Sequence, residues 1–357
     1  MKQIKKNNSL YDSIKSLIEE SKAQIVRRVN TTIILTYYEI GRMIVEDEQS
    51  GKSRAEYAEQ TLKQLSIDLT SDYGKGFSHR NLEYFRKFYL NYNKRISQTP
   101  SAKSAKSGSI KTAKDKDQIS QTLSAFSQSF PLSWSHYILL MKIDNLEEQR
   151  FYEIESEKSN WSVRELQRQF DSSLYERLAL SKDKKAVKEL ARVGQIIEKP
   201  IDALKHHTVL EFLELREDER YTESDLENAI INKIEHFMLE LGKGFLFEGR
   251  QKRFTFDVDS FFVDLVLYNR LLKCYVLIDL KIGKLTHQDI GQMQMYVNYY
   301  DRKMKLPEEN STIGIILCKE ESKAVVEFTL PEDNKTIFAK EYKLYLPSKD
   351  ELKKQLQ

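Results

Sequence analysis

Cysteine is nearly absent, with two residues, Cys274 and Cys318, in a chain of 357. Both lie in strand-like apolar runs, where a reduced thiol behaves as a small buried hydrophobe, so no disulfide framework is expected. Long apolar runs are missing as well. No stretch approaches the roughly 18 residues that a membrane span needs. The first residues, MKQIKKNNSLYDSIK, carry charge without the apolar centre of a secretory signal. Together these absences point to the cytoplasm. A dominant charge is lacking too: 57 Lys and Arg face 54 Asp and Glu, a net of +3. Overall charge therefore does not argue for nucleic acid, and any such surface has to be a local patch.

What is present suffices for real cores: 40% of residues are hydrophobic, and the length suits two or three domains. Residues 8 to 95 read as helices. Leu10, Ile14, Leu17, Ile18, Ile25, Val26 and Val29 recur mostly at helical spacing. The β-branched run TTIILTYY at 31 to 38 would suit a strand, but helical pattern flanks it and a helix is expected. In DYGKGFSHRNLEYFRKFYLNYNKR, Gly74 and Gly76 mark a turn and Ser78 an N-cap, the outline of a helix-turn-helix module. On its last helix Leu82, Phe85 and Tyr89 share one face. Arg80, Asn81, Tyr84 and Lys87 lie largely off it, as residue types that contact phosphates and base edges; a solvated basic face is the alternative.

Residues 97 to 130 are rich in Ser, Lys and Gln without periodicity and read as an insertion, with Lys103, Lys106, Lys111, Lys114 and Lys116 in its middle. Helical pattern then resumes. Ser162 and Glu165 have capping-box spacing, and Arg164, Arg168 and Arg177 give the region a basic side. The expected organisation is a helical domain over 1–175, a charged connection over 176–200 and a second domain over 201–357. That second domain reads as a helix (TESDLENAIINKIEHFMLELGKG), a strand (FLFEGRQKRFTFDVD), a hairpin of FFVDLVLYN and KCYVLIDLKI, a helix (HQDIGQMQMYVNYYDRKM) and two more strands, a mixed α/β layer fold.

Two carboxylates interrupt the apolar strands of that hairpin. Desolvating a lone carboxylate is expensive, so Asp264 and Asp279 need a partner or a metal. Fourteen residues separate them in sequence, with Asp-Leu-Lys at 279–281. A hairpin can bring both side chains to one face, making an oxygen site for a hard divalent cation. Lys281, two residues beyond Asp279, projects from the same side and can hold water or a phosphate oxygen. An edge-strand ion pair between Asp279 and Lys281 is the plain structural alternative.

Asp264, the Asp279-Leu280-Lys281 triplet and the following Gln292-x-x-x-Tyr296 helix resemble the PD-(D/E)XK nuclease superfamily. More closely, LELGKGFLFEGRQKRF, FFVDLVLYNRLLKCYVLIDLKIGKLTHQDIGQMQMYVNYYD and IGIILCKE resemble the YhcG-type bacterial nucleases. LTYYEIGRMI, GKGFSHRNLEYFRKFYL, LSWSHYILLMKI and WSVRELQRQF resemble the helical, helix-turn-helix-like N-terminal domain of that family. The resemblance covers nearly the whole chain except the insertion. It implies a restriction-endonuclease-like C-terminal domain that hydrolyses DNA with Mg²⁺, or Mn²⁺ in its place, in defence, restriction or recombination. Asp264 and Asp279 would be metal ligands, the Leu280 carbonyl would complete the shell, Lys281 would be the catalytic lysine, and Gln292 and Tyr296 would line the site. Glu227 matches an acidic residue that helps hold metal or water, although Ser224 and Glu227 also have capping-box spacing. The middle acid is Asp where many members have Glu. Lys252 and Arg253 are candidates for phosphate contact. DNA is the expected partner, with a homo-oligomer or other defence subunits beside it; a non-cleaving DNA-binding or assembly subunit that keeps the nuclease fold is the alternative.

Overall fold

The computed structural model describes residues 8–50, 55–97, 129–180, 184–205, 207–215, 220–256, 259–346, 348–349 and 352. The insertion expected over 97–130 lies, apart from its ends, outside the described residues. The chain forms two compact units, Met1–Gln149 and Arg150–Gln357. No described helix is long and apolar enough to cross a membrane.

The first unit is helical: α1 (Asn8–Ser50), α2 (Ala55–Tyr73), α3 (His79–Ser97) and α4 (Trp134–Leu140). The β-branched run 31–38 lies inside α1. Ile34 and Tyr38 are buried there, while the Thr32 and Thr36 hydroxyls donate to carbonyls one turn back, each at 2.9 Å. On α3 the buried stripe is Leu82, Phe85, Phe88 and Tyr92. Tyr89, expected on that face, is half-buried against Tyr38 at a ring separation of 5.1 Å. Aromatic contacts fill this core: Tyr37 stacks on Phe85 at 4.0 Å, and Phe88 meets Trp134 at 5.3 Å. Gly41 lets α1 approach α3 so closely that a Cβ there would overlap the Phe85 carbonyl. Gly74 takes a left-handed φ of 88°, and a 3-10 turn, Lys75–Phe77, joins it to α3.

The second unit holds the sheet, with strands in the order β1 (His207–Val209), β6 (Ile337–Lys343), β5 (Ile313–Glu320), β4 (Cys274–Lys284), β3 (Asp259–Asn269) and β2 (Phe245–Phe256). β2, β3 and β4 form an antiparallel meander; β4, β5, β6 and β1 pair in parallel. Before the sheet come α5 (Leu146–Lys158), α6 (Val163–Asp171), α7 (Leu174–Leu180) and α8 (Lys184–Val193). Helices α9 (Glu223–Asn232) and α10 (Ile234–Leu241) cover one face, with Leu226, Ile230 and Phe237 against Leu265, Ile278, Leu280 and Ile315. Helix α11 (His287–Tyr299) covers the other, with Ile290, Met293 and Val297 against Val266, Leu277 and Ile316. A short helix, α12 (Lys323–Thr329), follows β5. β4 is thus buried on both faces, which is why its sequence is an almost unbroken apolar run. Cys274 and Cys318 are buried free thiols.

Of the three arginines expected on a basic side, Arg164 is exposed, while Arg168 and Arg177 turn inward. Arg177 is fully buried and sets its guanidinium 2.5 Å from Glu240 Oε1, while donating to the His207 carbonyl at 3.0 Å and to the Ser172 carbonyl and hydroxyl at 2.8 and 2.9 Å. Arg168 reaches Glu240 at 3.4 Å and Glu211 at 3.1 Å. Lys205 donates to the Glu240 carbonyl, and the Val209 N–H donates to the Glu240 carboxylate at 3.0 Å. Burial opposes ionisation of Glu240, but Arg177, Lys205 and Arg168 outweigh it and hold the carboxyl down at about 2; burial brings Lys205 down to about 8. A carboxyl depressed from the ordinary 4.5 contributes stability above that pH and loses it as pH falls through 2. Glu240→Ala strands buried cations and is expected to cost about 3–5 kcal/mol. Denaturant unfolding measures this, and Glu240→Gln should flatten the decline in stability between pH 4.5 and 2.

Candidate active site

The β3–β4 ladder runs from Asn269 opposite Cys274 to Leu265 opposite Ile278 and stops there. One step beyond stand Asp264 and Asp279. The Leu280 N–H donates to Asp264 Oδ2 at 2.8 Å, so the side chain takes over a backbone donor where the ladder ends. Leu280 therefore meets Asp264 through its N–H. Strand alternation puts Leu277, Asp279 and Lys281 on the α11 face.

Asp279 is only 3% exposed. Its Oδ2 lies 2.8 Å from Lys281 Nζ, yet it makes no directed hydrogen bond among the described residues. The ion pair is close but poorly angled. Burial pushes the Asp279 carboxyl up to about 7, the nearby Asp264 adds to that, and Lys281 opposes it. Burial works against the Lys281 charge as well, but Asp279 and Glu223, the latter at 3.9 Å, hold its ammonium above the ordinary range. The lysine stays a cation while its partner carboxylate is only marginally ionised at neutral pH.

Glu227 is buried on α9. The cap expected of it falls two residues earlier: Thr222 and Asp225 form the capping box, with the Thr222 N–H donating to Asp225 at 2.8 Å. That leaves the Glu227 carboxylate free to accept from Gln251 Nε2 at 2.6 Å, and the same nitrogen donates to Asp264 Oδ1 at 3.1 Å. Gln251 was not among the expected site residues. It faces Asp264 across the β2–β3 pair, between Arg250 opposite Leu265 and Lys252 opposite Val263. Its φ of 46° is left-handed, a conformation that costs a non-glycine residue on the order of 1 kcal/mol or more. The only signal in the sequence is a lone amide in the strand that pairs with Asp264.

On α11, Gln292 Nε2 donates to the Tyr296 hydroxyl at 2.5 Å, four residues on. Tyr296 is buried edge-on against Phe254 at 5.4 Å. Burial, followed by the charge of Asp279, pushes its hydroxyl up to about 12. The structure thus gathers Asp264, Asp279, Lys281, Glu227 and Gln251, with Tyr296 within electrostatic reach. Lys252 and Arg253 lie exposed on β2, pairing with Glu248 at 2.9 Å and donating to the Ser260 hydroxyl at 2.8 Å. In the first unit Arg80 stacks over Tyr84 at 5.6 Å, Asn81 donates to the Gly76 carbonyl at 3.0 Å, and Lys87 is exposed.

Residues 201–357 match the family model for the YhcG PDDEXK nuclease domain, and residues 13–177 match the DUF1016 N-terminal domain. A protein of Escherichia coli (strain K12) described as "Putative nuclease YhcG" is 42% identical over 351 residues, 97% of this chain and 92% of that one. The chain belongs to the YhcG family of PD-(D/E)XK nucleases. Among solved structures, the "crystal structure of a repair endonuclease from Pyrococcus abyssi" matches 37% of this chain and 50% of that one at 19% identity, with a TM-score of 0.24. The "Structure of EndoMS-dsDNA2 complex" matches 38% and 51% at 15% identity, with a TM-score of 0.25.

The YhcG-family site holds no ready cage: no group of three or more His, Cys, Asp or Glu is gathered at metal-binding range among the described residues. The donors are nevertheless of the right kind. Asp264, Asp279 and Glu227 offer hard oxygens, one Asp279 oxygen is buried without a directed partner, and two carboxylates converge on one electropositive amide nitrogen. This set fits a hard divalent cation. An acid raised from the ordinary 3.8 to about 7 is penalised in its ionised form, so Asp279 subtracts stability as pH rises between those values. Asp279→Asn should therefore stabilise the chelator-treated protein at pH 8, by on the order of 2–4 kcal/mol in denaturant unfolding.

Proposed function

We propose that this chain is a divalent-cation-dependent endonuclease that hydrolyses phosphodiester bonds of DNA where β3 and β4 part. The observation that carries this reading is the Asp279–Lys281 pair buried beside Asp264, in a chain of the YhcG nuclease family. Asp264 and Asp279, with Glu227, would hold the cation, magnesium or manganese. Such an ion supplies positive charge to the scissile phosphate and acidifies water.

The chain's own groups do the positioning. The Leu280 N–H fixes one Asp264 oxygen, and Gln251 holds Glu227 and Asp264 toward a common point. Lys281, kept cationic by Asp279 and Glu223, holds the attacking water or a phosphate oxygen. Tyr296 stays neutral because its hydroxyl is pushed up, and Gln292 orients it, so the pair lines the site without adding charge. Lys252 and Arg253 are placed for phosphate contact from β2. The domain organisation that goes with this reading is residues 1–175 for DNA affinity, through Arg80, Asn81 and Lys87 with help from the lysines of the insertion, then 176–200 as connection and 201–357 as the nuclease. Its setting would be the bacterial cytoplasm, in defence, restriction or recombination.

Plasmid nicking tests the reading. The wild type should cut with Mg²⁺ or Mn²⁺ and not with chelator, and Asp279→Ala and Lys281→Ala should each lose at least about a hundredfold in rate while binding DNA normally. A wild type that binds DNA but cuts no duplex, branched, single-stranded or RNA substrate would leave a non-cleaving subunit. For the helical domain, Arg80→Ala with Lys87→Ala in the full chain should weaken duplex binding. The log–log salt slope should become shallower by up to about 2, as expected for two lost phosphate contacts.

A further inference from the structure

On β2, Arg250, Lys252 and Arg253 are cationic, yet the side chain aimed at two carboxylates is the neutral Gln251 among them. Its Nε2 donates to Glu227 Oε2 at 2.6 Å and to Asp264 Oδ1 at 3.1 Å. A lysine in that place would cancel charge on both acids, one of which, Glu227, is buried. An amide fills their acceptor positions and brings no charge to cancel theirs. The backbone is bent to aim it. Pairing keeps step on either side, Arg250 opposite Leu265 and Lys252 opposite Val263, while Gln251 takes a left-handed φ of 46°. Strain kept at one residue of a ladder that is in step around it marks a side chain whose direction matters.

A carboxamide has two ends of nearly equal size. Half a turn about the last side-chain bond of Gln251 puts Oε1 where Nε2 stands, with no change of backbone. The side chain is exposed, and Oε1 has no hydrogen-bond partner among the described residues, so the contacts with the two carboxylates are what hold the present orientation. We propose, resting on the cation site proposed above, that Gln251 is one of its ligands: when a divalent cation binds between Glu227 and Asp264, the amide reverses and its carbonyl oxygen joins theirs. Three hard oxygens then face one ion. Two carboxylates match a double positive charge, and the amide completes the set without overcharging it. The Leu280 N–H holds Asp264 Oδ2 at 2.8 Å, which leaves Oδ1 to the ion. Asp279 is an independent sign of a cation here. It stands across the end of the same ladder, 3% exposed, with an oxygen that makes no directed hydrogen bond among the described residues. The ligand added in this way is neither acid, histidine nor cysteine.

Calorimetric titration of Mn²⁺ into the full chain, without nucleic acid, is the test, with a circular dichroism melt of each variant to show that it is folded. Gln251→Met keeps the length of the side chain and removes both polar atoms; it should weaken Mn²⁺ binding about tenfold or more. Gln251→Glu loses the donor and keeps an oxygen, and should bind Mn²⁺ at least as tightly as the wild type. Gln251→Lys sets an ammonium between the acids; with chelator it should melt at or above the wild-type temperature, yet it should weaken Mn²⁺ at least as much as Gln251→Met does. A residue that served only to clamp the two acids through its N–H groups gives the reverse order, with Gln251→Lys binding like the wild type and Gln251→Glu losing as much as Gln251→Met. That order, or an unchanged affinity in Gln251→Met, would overturn the proposal; Asp264→Asn, by still abolishing binding, would then show that the cation site itself stands. A wild type that takes up no Mn²⁺ would overturn both.

Discussion

The buried carboxylate of Asp279 is the constraint on which the C-terminal unit turns. It stands on β4, the strand covered on both faces by helices, where an ionised group has little water to lean on. One ammonium, Lys281, sits beside it without a well-angled hydrogen bond, and a second carboxylate, Asp264, stands across the end of the ladder. A fold selected for stability alone would have placed an apolar residue there. What the arrangement holds instead is a carboxylate whose charge its surroundings leave poorly compensated, as the proposed cation site would require.

Around that point the other groups follow. The end of the β3–β4 ladder releases the Leu280 N–H, which Asp264 captures; β2 reaches across with Gln251 in a left-handed conformation; α9 contributes Glu227 because its cap is built from Thr222 and Asp225. In the same unit Glu240 gathers Arg177, Arg168 and Lys205 around one carboxylate, whereas Asp279 has a single cation beside it. The same unit thus contains one buried acid held well below its ordinary range and one held well above it. Count of partners, not burial, separates the two.

Much of this was legible in the sequence, for physical reasons. A lone carboxylate in a strand-like apolar run is conspicuous because burial makes it costly, and the short connection after Asn269 limited its neighbours to the other strand. Gln292 and Tyr296 share a helix face at the spacing of four, and the flanks of the β-branched run at 31–38 carried enough helical period to override local propensity. The rest depended on contacts that composition does not encode. Arg177 reads as surface until Glu240, 63 residues later, is known to face it. Thr222-x-x-Asp225 and Ser224-x-x-Glu227 overlap, and only the fold decides which one caps. Gln251 gains its meaning from a backbone φ and a cross-strand register, neither of which leaves a mark in the residue types.

The central proposal is that Asp279 and Asp264 form a divalent-cation site. Electron paramagnetic resonance of Mn²⁺ tests it without any nucleic acid or catalysis. Added to the wild type, Mn²⁺ should lose its free six-line signal in a saturable way, and Asp279→Asn and Asp264→Asn should each abolish that loss while remaining folded. Equal Mn²⁺ binding by the wild type and both variants would contradict the account.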